Sequence, residues 1–550
     1  MQQDIVTRAR AWLDEDPDSD TRAELGALID AGDLDALAER FSGTLQFGTA
    51  GLRGELGAGP MRMNRTVVIR AAAGLAAYLK ARGQGDGLVV IGYDARYKST
   101  DFALDTAAVM TGAGLRAAVL PRPLPTPVLA FAVRHLGAVA GVEVTASHNP
   151  PRDNGYKVYL GDGSQIVPPA DGEIAAEIDA VGPLASVPRP GDGWQTLGDD
   201  ILAAYLERTD AALTAGTPRT ARVVHTALHG VGTETFTAAF ARAGFPAPVL
   251  VPEQAEPDPA FPTVAFPNPE EPGAMDLAFA TARRVQPDLI IANDPDADRC
   301  AVAVPDPAPG GPGWRMLSGD EVGALLAAHL VAKGATGVLA ESIVSSSLLG
   351  RIAERAGLGY EETLTGFKWI ARVEGLRYGY EEALGYCVDP GGVRDKDGIT
   401  AALLVAELAS GLKAEGRTLT DVLDDLALTH GLHATDQLSV RVKDLSLISD
   451  AMRRLREGPP VELAGLRVAS AEDLTRGTAT LPPTDGLRYR LEGAYEARVI
   501  VRPSGTEPKL KCYLEVVVPV ASLDELGTAR KRGAEVLATL RMDVAEAAGL

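Results

Sequence analysis

Three aspartates spaced two apart, Asp294, Asp296 and Asp298 in NDPDADR, directly follow the apolar run DLIIA. In an extended segment alternate residues face one way, so the three carboxylates are expected to converge. Converging carboxylates repel one another without a cation, and an oxygen-only ligand set selects magnesium, calcium or manganese. An EF-hand is excluded: counted from Asp294, Arg299 stands where its glycine belongs and Pro305 where its bidentate glutamate belongs. The bland alternative is an acidic, solvated turn, which a preceding buried strand disfavours.

Three further segments carry chemistry. VTASHNPPRDNGYKVY (144–159) follows the apolar run AVAGVEV and sets Ser147 beside His148 and Asn149, with Lys157 ten residues on. A hydroxyl there can take a phosphoryl group, assisted by a nearby cation or acid-base group; the spacing is not a GxSxG elbow, and a capped polar turn is the alternative. VRPSGTEPKLK (501–511) offers the Arg502 guanidinium, the Ser504 and Thr506 hydroxyls, close backbone approach at Gly505 and the Lys509 ammonium. Together these make a nest for a phosphate dianion, against a hairpin with incidental charges. YGYEEALGYCV (378–388) places Glu381 and Glu382 side by side, where they could accept hydrogen bonds from adjacent sugar hydroxyls or stand as a solvated pair.

The elements that must position these loops alternate in type. Residues 65–82 read as a helix, 88–93 as a buried strand, 100–113 as a helix and 138–144 as a strand. After a Pro- and Gly-rich linker at 182–193 the order restarts: strand 221–228, helices near 233–243 and 274–285, and the strand ending at Asp294. It restarts again with helix 319–333, strand GVLAES, helix 344–356 and a long helix over 397–413. Beyond residue 432 come alternating strands (LSVRV, YEARVIVRP, KCYLEVVV) and an apolar helix at 523–541. The expected fold is α/β: three successive α/β domains with mixed sheets (1–190, 191–308, 309–431) and a C-terminal α+β domain (432–550).

Composition narrows the function. The 550 residues, 46% hydrophobic and 23% charged, suit a globular enzyme with room for clefts between domains. A net charge of −21 argues against nucleic acid as the main partner, so an anionic ligand must be held by locally placed cations. Cys300, Cys387 and Cys512 are far apart and lack CxxC spacing, which suits a reducing cytoplasm and indicates neither a disulfide framework nor a thiolate zinc site. No export signal or membrane span is indicated.

The four loops, in this order, resemble those of the α-D-phosphohexomutase family, which includes phosphoglucomutases and phosphomannomutases. TASHNP, DPDADR and RPSGTEPK carry the resemblance; FGTAGLRG (47–54), GYDARYKS (92–99), LTGFKWI (364–370) and VRDKDG (393–398) add to it. It implies a heart-shaped, four-domain protein around a central cleft. It further implies Ser147 as a phosphoserine, and one magnesium ion per chain held by Asp294, Asp296, Asp298 and the serine. By matched position Arg53, His148 and Lys157 would lie near the transferred phosphate, and Arg299, Thr365, Gly366 and Lys396 would contact substrate. Glu381 and Glu382 would read the sugar, and the terminal loop would grip the phosphate that is not transferred. The implied reaction interconverts sugar 1- and 6-phosphates through a sugar bisphosphate, glucose 1,6-bisphosphate serving as activator, in a cytoplasmic monomer or homodimer.

Ala383 stands where many members have Ser and Tyr386 where some have His, a form resembling the branch of longer phosphoglucomutases and phosphopentomutases. Glucose phosphate is the first expectation, with mannose and pentose phosphates open. A strand running into Asp-x-Asp also resembles haloacid dehalogenase-type phosphatases, but Asp298 or Cys300 then falls where that motif wants Thr or Val. A sugar-phosphate sensor without turnover is the non-enzymatic alternative.

Overall fold

The computed structural model describes residues 2–48, 51–306, 313–442, 444–504 and 509–550. They form two compact units, Met1–Met316 with Gly385–Gly411, and Leu317–Leu384 with Leu412–Leu550.

The first unit begins with three helices that the sequence reading did not separate: Gln2–Glu15, Ser19–Ala31 and Leu34–Arg40. The Asp18 and Asp33 side chains cap the second and third by accepting from Asp20 N and Ala36 N. Together with Phe41 and Ala58 the three helices enclose a small core containing Ala9, Leu25 and Leu37.

A mixed sheet follows, built from β1 (Leu52–Glu55), β2 (Leu88–Tyr93), β3 (Arg116–Val119), β4 (Ala140–Val144), β5 (Asp153–Leu160) and β6 (Gln195–Thr196), in spatial order β1-β5-β4-β2-β3-β6. β4, β2, β3 and β6 run parallel, while β5 is antiparallel to β4 and β1. The helix Arg65–Ala81 packs on this sheet through Val68, Ile69, Ala72, Leu75 and Leu79, an i, i+3, i+4 stripe, and Asn64 caps it by accepting from Val67 N. Gly74 on that helix is required, since a Cβ there would stand 2.6 Å from the Ile178 backbone nitrogen.

A second sheet holds β7 (Val223–Thr226), β8 (Val249–Leu250), β9 (Leu289–Ala292), β10 (Ala301–Pro305) and β11 (Trp314–Met316), in order β11-β10-β9-β7-β8. The two sequence-distant segments that carry Ser147 and the aspartates therefore both leave carboxyl ends of parallel strands, β4 and β9, where open α/β sheets place their ligands.

In the second unit β12 (Val338–Ser342) lies between β13 (Gly359–Thr363) and β14 (Leu376–Glu381), all parallel. The helix expected over 344–356 starts only at Leu348. Its intended first turn is used elsewhere, with Ser346 N donating to Asp320 Oδ1 (2.7 Å) and Ser347 N to Glu515 Oε1 (2.9 Å).

β15 (Gly385–Cys387) belongs to the first unit and opens the segment that leads to the helix Gly398–Ala414. The last sheet is antiparallel, formed by β16 (Leu432–Arg441), β17 (Glu462–Leu463), β18 (Leu466–Asp473), β19 (Leu487–Glu492), β20 (Glu496–Pro503) and β21 (Lys509–Val518), in order β16-β21-β20-β19-β18-β17. The helices Ser446–Glu457 and Leu526–Ala548 contribute Leu455, Leu537 and Leu540 to its core. The second of these replaces the helix expected at 523–541; its start is delayed by a 3₁₀ turn, Leu523–Glu525. No helix among the described residues is long and apolar enough to cross a membrane.

Glu515 on β21 ties this sheet to the Ser345–Ser347 turn. It accepts from the Ser346 hydroxyl (2.7 Å) and pairs with Arg498 (2.9 Å). Burial opposes its charge, yet Arg498 and His433 hold its carboxyl down to about 2. A depressed carboxyl stabilises above its unfolded range, and the gain is lost as pH falls from about 4.5 toward 2. Its size is on the order of 3 kcal/mol. Urea titrations of wild type and Glu515→Gln at pH 7 and pH 3 should therefore show a large gap at pH 7 that narrows at pH 3; a gap independent of pH would contradict the assignment.

Candidate active site

Ser147 sits in the turn that joins β4 to β5, in the left-handed region at φ 50. Its amide donates to Thr145 Oγ1 (2.8 Å), and its hydroxyl donates to Asp294 Oδ2 (2.6 Å) with His148 Nδ1 at 3.2 Å. Lys157 lies on β5 opposite Glu143 of β4, so it is fixed by strand register rather than carried on a loop. Its buried ammonium donates to Asp296 Oδ2 (2.8 Å) and Asp298 Oδ2 (3.0 Å).

The aspartates converge, but not by strand alternation. β9 ends at Ala292, and Asp294–Asp298 form a turn closed by Ala297 N donating to Asp294 O (2.8 Å), with Ala297 at φ 53. Extension fails because the chain must reverse at once to pair β10 antiparallel with β9. All three carboxylates are 0% exposed, and one oxygen from each lies within 4.8 Å of the others.

These residues fit a divalent cation. Asp296 Oδ1 and Asp298 Oδ1 are buried without a hydrogen-bond partner, the donor set is all oxygen, and Ser147 Oγ is adjacent. Burial and the neighbouring Asp296 and Asp298 push the Asp294 carboxyl well above its ordinary range, as expected of a group awaiting positive charge. Burial opposes ionisation of Asp296 too, but Lys157 overrides it and holds that carboxyl low.

The remaining predicted residues of this unit gather around the same place. Arg53 on β1 donates to Asn149 Oδ1 (3.2 Å). Arg299 Nε stands 3.7 Å from Asp294 and 3.8 Å from Asp298. Lys396 Nζ is 3.1 Å from Asp298 Oδ2. Burial, then Arg299 and Arg53, push the His148 imidazole well below its ordinary range and keep it neutral at pH 7.

In the second unit Glu381 ends β14 and Glu382 follows it. Glu382 accepts from Ser342 Oγ (3.2 Å) and Ser345 Oγ (3.4 Å), while its amide donates to Ser345 Oγ (3.1 Å). Burial and Asp320 raise its carboxyl. Thr365 follows β13, and Gly366 takes φ 105, which favours glycine. Arg502 on β20 shares one recess with Thr365, Ile343, Leu364 and Ile500. Ser504 N donates to Lys509 O (2.8 Å); Gly505 and Thr506 lie outside the described residues.

Sequence reasoning missed Thr126, whose amide and hydroxyl donate to Asp296 O (2.9 Å) and Oδ2 (2.7 Å). It also missed Asp395, which accepts from Tyr159 and Gln165 and lies 3.5 Å from Lys396 Nζ. Thr126 opens the helix Thr126–His135 ahead of a proline and carries no local signal of chemistry.

Replacing one ligand without changing its size isolates the metal assignment. Asp296→Asn should bind magnesium at least about tenfold more weakly in isothermal titration calorimetry; unchanged affinity would place the ion elsewhere.

Comparison with known proteins agrees with this geometry. Four models of phosphoglucomutase/phosphomannomutase match in order: α/β/α domain I over residues 44–183, domain II over 203–310, domain III over 318–429 and the C-terminal domain over 461–529. A Haemophilus influenzae protein named "Probable phosphomannomutase" is 50% identical over 83% of this chain and 93% of its own. A Schizosaccharomyces pombe protein named "Probable phosphoribomutase" is 37% identical over 92% of each. A crystal structure from Thermus thermophilus, described as a phosphomannomutase, superposes with TM-score 0.69 at 28% identity, covering 90% of this chain and 99% of that one. The serine, aspartate and lysine loops thus sit within matches that run in family order along most of the sequence, and the chain belongs to the α-D-phosphohexomutase family of phosphosugar mutases.

Proposed function

We propose that the protein is a cytoplasmic, magnesium-dependent mutase that interconverts a sugar 1-phosphate and its 6-phosphate, glucose phosphate being preferred, with Ser147 carrying the phosphoryl group. The observation that carries this reading is the 2.6 Å hydrogen bond from Ser147 Oγ to Asp294, which sets a nucleophilic hydroxyl against a buried, cation-seeking carboxylate cluster.

Magnesium held by Asp294, Asp296, Asp298 and a phosphoserine oxygen would neutralise charge on the moving phosphoryl group. The chain's own groups do the rest. Neutral His148, 3.2 Å from Ser147 Oγ, receives the hydroxyl proton. Lys157, held charged by Asp296 and Asp298 in spite of burial, donates toward the sugar oxygen that leaves or attacks. Arg53, Arg299 and Lys396 balance the transferred phosphate; Thr365, Gly366, Glu381 and Glu382 orient the sugar. Arg502, Ser504, Gly505, Thr506 and Lys509 grip the stationary phosphate. The segments 1–190, 191–308, 309–431 and 432–550 act as four domains with one loop each, and glucose 1,6-bisphosphate primes the serine.

The hexose preference is supported by the relative at 50% identity, since mannose and glucose differ only at C2; the relative at 37% keeps pentose phosphate in contention. Ala383 offers no hydroxyl to the sugar, and Tyr386, fully buried, replaces a solvent-accessible acid-base group.

With magnesium and a trace of glucose 1,6-bisphosphate, wild type should convert glucose 1-phosphate to glucose 6-phosphate. Ser147→Ala should lose at least about 10³-fold in kcat, and EDTA should abolish turnover. Higher kcat/KM on mannose or ribose phosphate would move the preference. Turnover independent of Ser147 would overturn the mechanism.

A further inference from the structure

One buried cation outside the groups discussed so far is aimed at the backbone of the serine turn. Arg96 follows β2 and is 4% exposed. Its Nη2 donates to the carbonyls of Ser147 (2.6 Å) and Asn149 (2.6 Å), and its Nη1 to those of Pro150 (2.8 Å) and Asp153 (3.1 Å). A single planar guanidinium therefore holds four carbonyls of one turn, including that of the residue in the left-handed conformation at φ 50.

The guanidinium is itself fixed on its other sides. Asp94 Oδ2 faces its Nε at 3.4 Å, and Asp94 Oδ1 accepts from Ser99 Oγ (2.7 Å) and from the Arg96 amide (3.0 Å). The Phe261 ring, from the stretch between β8 and β9, lies 4.9 Å from the guanidinium carbon. Phe261 is 3% exposed and also sits at positive φ, 45, so strained backbone presents that ring. Two residues on, Lys98 pairs with Asp18 (3.0 Å) and Asp20 (2.7 Å) of the N-terminal helices, which pins the Arg96 loop from outside.

Resting on the mutase reading, we propose that Arg96, sealed by Phe261, is a positioning residue: it holds Ser147 in the left-handed conformation that aims Oγ at the Asp294 carboxylate. Arg96 touches neither the aspartates nor the sugar loop, so its loss should misplace the nucleophile while leaving sugar recognition in the second unit intact. Misplacement of a reacting atom by about 1 Å costs on the order of 10²-fold. A lysine cannot reproduce the fork across four carbonyls.

The test compares wild type with Arg96→Lys by steady-state kinetics on glucose 1-phosphate, thermal unfolding and amide hydrogen exchange. Expected are a kcat lower by about 10²-fold, a KM within about threefold, a retained folding transition, and faster exchange confined to residues 147–153. Unchanged kcat in a folded variant would overturn the proposal. So would unchanged exchange at 147–153, or loss of kcat together with a proportionate rise in KM. If Arg96→Lys does not fold, Phe261→Leu, which leaves the four hydrogen bonds in place, should lower kcat severalfold at constant KM, and no change there overturns it. Wild type inactive on every sugar phosphate would refute the mutase reading alone, because the exchange comparison still decides whether Arg96 fixes the turn.

Discussion

Burying three carboxylates side by side is the constraint around which the first unit is organised. In low dielectric each would be protonated or displaced unless positive charge were brought to it. The chain supplies that charge from distant segments: Lys157 from β5, Lys396 from the segment after β15, and Arg299 from the aspartate turn itself. Two unsatisfied oxygens, on Asp296 and Asp298, remain for a cation. The Ser147 hydroxyl is drawn to the same cluster through Asp294. Nucleophile, metal site and ammonium are thus consequences of one electrostatic problem solved on two adjacent sheets.

The second unit faces the opposite problem, holding anionic side chains for a polar ligand in place. Glu382 is locked by Ser342 and Ser345, and the turn that holds those serines is fastened by Asp320, Glu515 and Arg498, the last donating to Ser345 O. Glu381, one residue earlier and half-buried, leaves β14 on the other side of the strand. Adjacent, chemically identical residues are therefore held differently, and pattern alone could not tell them apart.

Much of the site was legible because its residues cluster into short loops after apolar runs: the Ser147, Asp294–Asp298 and Arg502 segments were all found from local sequence. The α/β alternation was legible for the same reason, since buried parallel strands and amphipathic helices differ in period. What was not legible depends on contacts far along the chain. Strand alternation gave the right convergence for the aspartates by the wrong geometry, because the reversal into β10 is a tertiary requirement. Thr126 reaches Asp296 across 170 positions, and Arg96 reaches Ser147 across 51; neither bears a local mark of its role. The N-terminal helices escaped notice because their acidic, weakly apolar sequence encloses only a small core.

Whether Ser147 carries the phosphoryl group is tested most directly by incubation with glucose bisphosphate bearing ³²P, followed by quenched-flow chase with unlabelled glucose 1-phosphate and peptide mapping. The expected result is label on the peptide containing Ser147, at up to one phosphate per chain, leaving for the sugar at least as fast as steady-state turnover. Label absent from Ser147, or leaving more slowly than turnover, would contradict it.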